Sequence, residues 1–172
     1  TGPSDDTFTS PFIDLQRSHL LTIGNRIDRN DSAATTNFNV PLTFVNETDP
    51  ANGSALAKHI TKPVTLAVPA TGLKVLFAGH RPSTAEFDLY FRTCSSGTDS
   101  DILEKSFVKQ VEDEAMPADK GEQSFHEYRY TVGGDFAATL DEFDKYQIKI
   151  VMNSQSSADV PRVRDLRTIA LN

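Results

Sequence analysis

The end of the chain, residues 143–171, carries the clearest strand pattern. Apolar and more polar positions alternate through residues 146–153, and successive strand side chains point to opposite faces of a sheet. The pattern predicts a half-buried strand. Its buried face would hold Tyr146, Ile148, Ile150 and Met152, and its outer face Gln147, Lys149, Val151 and Asn153.

A polar turn and a second strand follow. Residues 154–159 are small and polar, and Pro161 suits the start of a strand because a first position need not donate a hydrogen bond. Residues 163–171 alternate imperfectly, which predicts a β-bulge near Asp165 that re-phases the side chains. The chain therefore ends in a strand.

Similar patterns recur along the rest of the chain at intervals of about ten residues, each bounded by Gly, Pro, Ser or Asp. Two short stretches, 54–59 and 140–145, could be helical, and the second could equally be a bend that leads into the next strand. The sequence predicts an all-β fold, a β-sandwich of jelly-roll type. Its strands would cover 64–68, 73–78, 87–93, 107–111, 125–132, 146–152 and 163–171, with an alternating island at 38–45 and one or two short strands within 10–27.

Length and composition divide the chain into a polar arm and a packed body. The 172 residues are expected to hold one domain. Because the first part is rich in small and polar residues, we expect an extended N-terminal arm with one or two strands over 1–53, and a β-sandwich domain over 54–172. The chain begins at Thr1 rather than Met, so we also expect it to be a piece of a longer polypeptide.

Charge and hydropathy argue against two kinds of partner. The formal net charge is −7, from 24 acidic and 17 basic residues, and an acidic surface repels the phosphates that supply most nucleic-acid affinity. No apolar run reaches the roughly 18 residues that a membrane helix needs. We therefore expect no nucleic-acid partner and no membrane insertion.

Several segments resemble a family of tailed-phage virion proteins of the tail, baseplate or tail-fibre apparatus, notably in contractile-tailed phages of marine bacteria and cyanobacteria. The resemblance is carried by Tyr146-Gln-Ile-Lys-Ile-Val-Met152, the Ser/Asn-rich turn after it, and Pro161-Arg-Val-Arg-Asp-Leu-Arg-Thr-Ile-Ala-Leu171. Residues 10–14, 57–66, 73–82 and 87–92 are similar to the same family. These motifs are strand cores and turns, so the resemblance implies a fold and a virion location and brings no catalytic residue.

Metal binding is not predicted. Asp99 and Asp101 alternate as calcium ligands do, but an EF-hand needs Gly at the sixth loop position and Glu at the twelfth, and Glu104 occupies the sixth. The four histidines, His19, His59, His80 and His126, form no zinc-type pair along the sequence, although spacing cannot exclude a site assembled in three dimensions. The sequence predicts no catalytic, cofactor-binding or metal-binding residue.

Other reactive or polar groups favour structural interpretations. Cys94 is the single cysteine, so it forms no internal disulfide, and its position after a strand predicts burial. Two N-glycosylation patterns, at Asn46 and Asn52, would stay unmodified in a bacterial virus. The tyrosines Tyr90, Tyr128, Tyr130 and Tyr146 are expected to be ordinary strand aromatics that suit a core and have satisfied hydroxyls, with hydroxyls presented at a binding surface as the alternative. The basic cluster of Arg162, Arg164 and Arg167 is expected to pair within the chain, with contacts to a neighbouring subunit as the alternative.

The sequence therefore predicts a non-enzymatic structural component of a phage virion, made in the host cytoplasm and acting through contacts with other virion proteins or copies of itself. The long acidic segment 95–122 is the expected contact-making loop, because long connections are often functional. The main alternative is a receptor- or carbohydrate-binding module at the tail tip that contacts a host surface glycan. A third possibility, a polysaccharide hydrolase, is disfavoured because Trp is absent and exposed aromatic residues are few.

Overall fold

A computed structural model describes residues 11–14, 19–22, 45–55, 57–97, 101–119, 124–133, 140–156 and 158–172, the first two ranges as backbone only. Regular structure in these ranges consists of strands and one short 3₁₀ helix, Ile102–Glu104. The strands are β1 (Pro11–Asp14), β2 (His19–Thr22), β3 (Lys58–Ile60), β4 (Val64–Ala70), β5 (Gly72–His80), β6 (Ala85–Cys94), β7 (Val108–Gln110), β8 (His126–Gly133), β9 (Phe143–Ser154) and β10 (Arg162–Leu171).

The strands form two antiparallel sheets, and the predicted all-β class is confirmed. Sheet A has the order β1-β2-β10-β5-β8. Sheet B has the order β3-β9-β6-β7, and β4 lies beside β3 along the same edge of β9. The seven strands predicted between residues 64 and 171 are all present, and β1 and β2 fall within the predicted 10–27 segment.

The pairing is nested in sequence. β2 pairs with β10, β4 with β9, β5 with β8, and β6 with β7. In these four pairs, strands early in the chain meet strands late in the chain in reverse order, as in one long antiparallel hairpin; β1 pairs with β2, and β3 shares β9 with β4. Further pairs, β10 with β5 and β9 with β6, fold that hairpin over into two layers.

One apolar core fills the space between the layers. Phe77 and Tyr128 of sheet A stack at 5.3 Å between ring centroids, and Phe87 of sheet B meets both rings edge-on at 5.4 and 5.1 Å. Such edge and offset contacts suit the charge distribution of aromatic rings. Apolar side chains of β5, β6, β8 and β9 continue the cluster, so the inner faces of the two sheets pack on each other.

Three expectations about local structure can be compared with the strands observed. The helix predicted at 54–59 is wrong, because Lys58–Ile60 is a strand paired with β9. The stretch 140–145 is not helical either: β9 begins at Phe143, which agrees with the alternative of a bend leading into a strand. The bulge near Asp165 is confirmed, since the register of β10 with β5 shifts between Arg164 and Arg167 and Asp165 has φ 55°.

The prediction of a half-buried β9 is wrong, because both of its faces are covered. The alternate residues Gln147, Lys149 and Val151, expected in solvent, are as buried as the core-facing ones. A second apolar cluster lies over them, formed with Ala55, Tyr90 and Phe107. Segments 45–55 and 101–107 therefore add a layer outside sheet B.

The proposed boundary between an arm (1–53) and a domain (54–172) stays a prediction. β2 pairs with Arg162–Arg164 of β10, and Glu47 contacts Lys149. Residues 38–44 of the predicted island lie outside the described residues. Parts of the first 53 residues are thus in contact with the sheets.

Gly79 provides a test of the inter-sheet packing. A β-carbon there would lie 2.7 Å from the ring of Phe87 and 2.8 Å from that of Tyr128. We expect Gly79→Ala to lower the free energy of unfolding in urea by about 1–3 kcal/mol, because overpacking forces rings off their positions. Gly97→Ala is the matched control: no atom lies within 4 Å of its added carbon, and its effect should stay within about 0.5 kcal/mol. Equal stability of the two variants would contradict this packing.

Candidate functional site

The outer face of sheet B carries a buried polar cluster, which we call the outer cluster: Glu47, Tyr90, Arg92, Phe107, Gln147 and Lys149. Its strand residues face the same way because Tyr90 pairs with Lys149 across β6 and β9, and Arg92 pairs with Gln147. Phe107 lies over them, and its backbone N–H donates to Thr48 O at 2.8 Å. The two covering segments are thereby joined to each other as well as to the sheet.

Lys149 is the most buried charge of the outer cluster, with no exposed side-chain surface. Its ammonium donates to Glu47 O, to Glu47 Oε2 at 3.0 Å and to Asn52 O at 3.2 Å. The rings of Phe107 and Tyr90 lie 4.3 and 5.0 Å from Nζ, within the range of cation–π attraction. Burial lowers the pKa of Lys149, and Glu47 opposes that shift.

Glu47 is equally buried and organises the 45–55 segment. Its Oε1 accepts from the Ala55 N–H at 2.6 Å, while Lys58 Nζ lies 4.0 Å from Oε2 and donates to the Asn52 and Gly53 carbonyls. Gly53 has φ 76°, and a β-carbon there would overlap the Glu47 carboxylate. Only glycine fits that position, since it has no β-carbon and adopts positive φ without strain.

Arg92 holds the 101–107 segment by hydrogen bonds, as Glu47 holds the 45–55 segment. Its Nε donates to Gln147 Oε1 at 2.8 Å, and Nη1 donates to the Leu103 and Lys105 carbonyls at 3.1 and 3.0 Å. The guanidinium lies 4.2 Å from the centroid of Phe107. Burial lowers the pKa of Arg92, yet a guanidinium stays charged in proteins.

The outer cluster is suited to holding loops in place and unsuited to catalysis. A catalytic lysine must expose a neutral amine to a substrate, whereas Lys149 is closed off from solvent and its three protons face three acceptors. Arg92 likewise donates to groups of its own chain. Lys149 cannot reach a bound molecule unless the covering segments lift off.

A second polar cluster forms where β5 ends and β8 begins. The buried carboxylate of Asp119 lies between two imidazoles, with Oδ1 at 3.2 Å from His126 Nε2 and Oδ2 at 3.7 Å from His80 Nδ1. The Arg81 N–H donates to Oδ2 at 2.5 Å, and the Asp119 N–H donates to Arg81 O at 2.8 Å. This arrangement fastens the end of the acidic segment to sheet A.

Two of the four histidines therefore meet in the fold, on either side of Asp119. Sequence spacing gives no sign of this, because 46 positions separate residues 80 and 126 in the chain. His80 Nδ1 lies 2.9 Å from Ser124 O, and a carbonyl can only accept, so this nitrogen carries the proton. Among the described residues no group of three His, Cys, Asp or Glu side chains is arranged to hold a metal ion. His59 lies on β3, in sheet B.

The other predicted residues mostly make internal contacts. Asp101 caps the 3₁₀ helix by accepting from the Leu103 N–H at 3.0 Å, and Asp99 lies outside the described residues. Arg167 pairs with Glu127 at 2.5 Å and the Arg164 guanidinium lies 4.0 Å from the centroid of the Phe125 ring, as expected for pairing within the chain. Cys94 and the four tyrosines are buried, as predicted.

Exposed apolar side chains are concentrated at the two edges of sheet B. Val64 and Val68 lie on β4, and Val68 is 65% exposed. Val108 and Val111 lie on and beside β7 at the opposite edge, and Val111 is 74% exposed. The sequence pattern marked both regions as strands or loops, but only the sheet order reveals that they are edges.

Comparison of the chain with protein-family models, curated proteins and solved structures gives no significant match. In the described part of the chain no helix is long and apolar enough to cross a membrane. Function has to be inferred from the contacts and surfaces described above.

Lys149→Met tests the outer cluster. Removing the ammonium leaves the buried Glu47 carboxylate with only the more distant Lys58 ammonium, at 4.0 Å, and breaking a buried pair typically costs about 3–5 kcal/mol of the free energy of unfolding. Adding Glu47→Gln should restore part of that loss, because the neutral amide can still accept from the Ala55 N–H. Urea unfolding of both single variants and the double variant measures the coupling.

Lys109→Met is the matched control for this cycle. Lys109 pairs with Asp88 at 2.7 Å but is 54% exposed, and an exposed pair contributes about 0–1 kcal/mol. A loss of stability in Lys149→Met no larger than in Lys109→Met would contradict the importance of the buried pair.

Proposed function

We propose that this chain is a non-enzymatic structural component of a phage virion, in the tail, baseplate or fibre, and that it acts through protein–protein contacts. The observation that carries the proposal is the distribution of polar and apolar groups. The strongest buried charges, Lys149 and Arg92, hold loops of their own chain, while large apolar side chains are exposed at both edges of sheet B. Exposed apolar side chains mark interaction surfaces where they form a contiguous patch, and the exposed valines lie in two pairs, one at each edge of sheet B.

The fold supports the proposal by analogy. We propose that the two sheets are a jelly roll preceded by an N-terminal arm over 1–53. The nested pairs β2–β10, β4–β9, β5–β8 and β6–β7 support this, because rolling up one long antiparallel hairpin produces that order. Jelly rolls occur in viral capsid and lectin domains, but a fold alone does not fix a function.

The virion setting itself is suggested by the resemblance of the strand segments to tailed-phage proteins. Strand edges suit such a setting, since symmetric assemblies bury self-complementary or mutually complementary edges. The partners would be other virion proteins or further copies of the chain.

Binding of a host surface glycan is the second candidate, and one feature favours it. A half-open cavity of about 480 Å³ lies beside β6 and β7. Its lining is largely apolar, from Phe91, Val108, Val132 and Leu140, and its polar residues are Arg92, Thr93, Lys105, Ser106 and Gln110. Hydroxyl, amide and ammonium groups of this kind can hydrogen-bond a sugar. Screening the purified chain on a glycan array would detect such binding, which the structural role does not require.

Immunoelectron microscopy tests the structural role. Antibodies against the purified chain should label intact particles of the phage that encodes it at the tail, baseplate or fibre. Unrelated phage particles prepared in parallel are the control. Antigen found only in the unassembled fraction of the lysate, with unlabelled particles, would contradict the proposal.

A further inference from the structure

The two edges of sheet B differ in charge. The segment 58–70, which holds β3 and β4, contains Lys58 and Lys62 and no Asp or Glu. Lys62 is exposed and makes no ion pair with a described residue. We call Lys62, Val64 and Val68 the basic edge; it combines an exposed lysine with two exposed valines.

The opposite edge combines valines with carboxylates. We call Val108, Val111, Glu112 and Glu114 the acidic edge; Val108 lies on β7, and the segment after β7 runs beside β8 of sheet A, where the Asp113 N–H donates to Arg129 O at 2.8 Å. Neighbouring charges are already used, since Lys109 pairs with Asp88 and Asp113 accepts from Thr131. Glu114 is exposed, Glu112 is partly exposed, and neither pairs with a described residue.

One copy of the chain cannot bring these two edges together. β9 and β6 lie between β4 and β7, so the edges are three strand spacings, about 14 Å, apart. A contact between them must therefore join two copies. Because the surfaces differ, the contact is head-to-tail and generates a ring or an open chain.

The local structure of β4 favours contact through side chains over strand addition. Thr65 pairs with Lys145 and Ala70 with Phe143, so four residues of β4 bulge out opposite a single residue of β9. Pro69 lies in this bulge and lacks an N–H, and bulges and prolines protect sheet edges from pairing with another strand. Val68 is nevertheless exposed to solvent. It therefore offers an apolar side chain for contact at a place where the backbone is protected from pairing with another strand.

We propose that the basic edge of one copy binds the acidic edge of the next, with Val68 packing against Val111 and Lys62 facing Glu112 and Glu114. This inference rests on the proposed function and specifies its partner as a second copy of the same chain. Valine contacts supply the affinity, and the opposite charges orient the two copies.

Sedimentation velocity of the full chain tests the proposal with two blocking variants. Val68→Asp damages the basic edge, and Val111→Asp damages the acidic edge. The wild type should associate with increasing concentration, and each variant alone should associate at least about tenfold more weakly, because a buried valine is replaced by a charge. Ile169→Asp is the control: Ile169 is 50% exposed on β10 of sheet A, and this variant should behave as the wild type.

Mixing the two variants distinguishes head-to-tail contact from other modes. Each retains one intact edge, so an equal mixture should form dimers and nothing larger. High salt should weaken association of the wild type, since exposed charges are screened. A mixture that stays monomeric, or association unaffected by either variant, would overturn the proposal.

A wild type that stays monomeric throughout would also overturn it. If Val68→Asp then lowered the melting temperature, we would conclude that other residues of the same copy cover the basic edge. If antibodies label phage particles but the purified chain is monomeric, the structural role still stands. The contacts would then be with other virion proteins and not with further copies of the chain. The two proposals therefore fail separately.

Discussion

The buried ammonium of Lys149 is the constraint on which the arrangement of sheet B depends. A charge in a protein interior needs both an opposite charge and hydrogen-bond acceptors, since leaving it unpaired costs several kcal/mol. Glu47 and the Asn52 carbonyl meet this need only if the 45–55 segment wraps over the outer face of the sheet. The same wrapping buries Val151 and places Phe107 between two cations.

The two sheets consequently face solvent in different ways. The outer face of sheet A carries exposed ion pairs such as Arg167 with Glu127, which contribute little to stability. The outer face of sheet B is covered where Lys149 and Val151 lie, so the contacts that we propose for this sheet would use its edges. An assembly built through edges fits a protein whose interior charges are committed to its own loops.

The alternation of side chains was sufficient to locate the seven strands between residues 64 and 171, and the broken phase near Asp165 was sufficient to locate a bulge. Alternation could not show that Lys149 is buried, because the sequence pattern of a strand is the same whether water or a loop covers its outer face. The helical composition of 54–59 was overridden by pairing of Lys58–Ile60 with β9, since tertiary contacts outweigh weak propensities. The meeting of His80 and His126 and the edge positions of β4 and β7 depend on long-range topology, which local patterns do not encode.

Native-state hydrogen exchange tests most directly whether the covering segments belong to the cooperative core. The informative amides are those of Ala55, bonded to Glu47 Oε1, and Phe107, bonded to Thr48 O. The account predicts that both exchange only with global unfolding, at an opening free energy within about 1 kcal/mol of that for the amides of β9, although ordinary loops open far more easily. Exchange of Ala55 and Phe107 through openings several kcal/mol cheaper, while β9 stays protected, would contradict it.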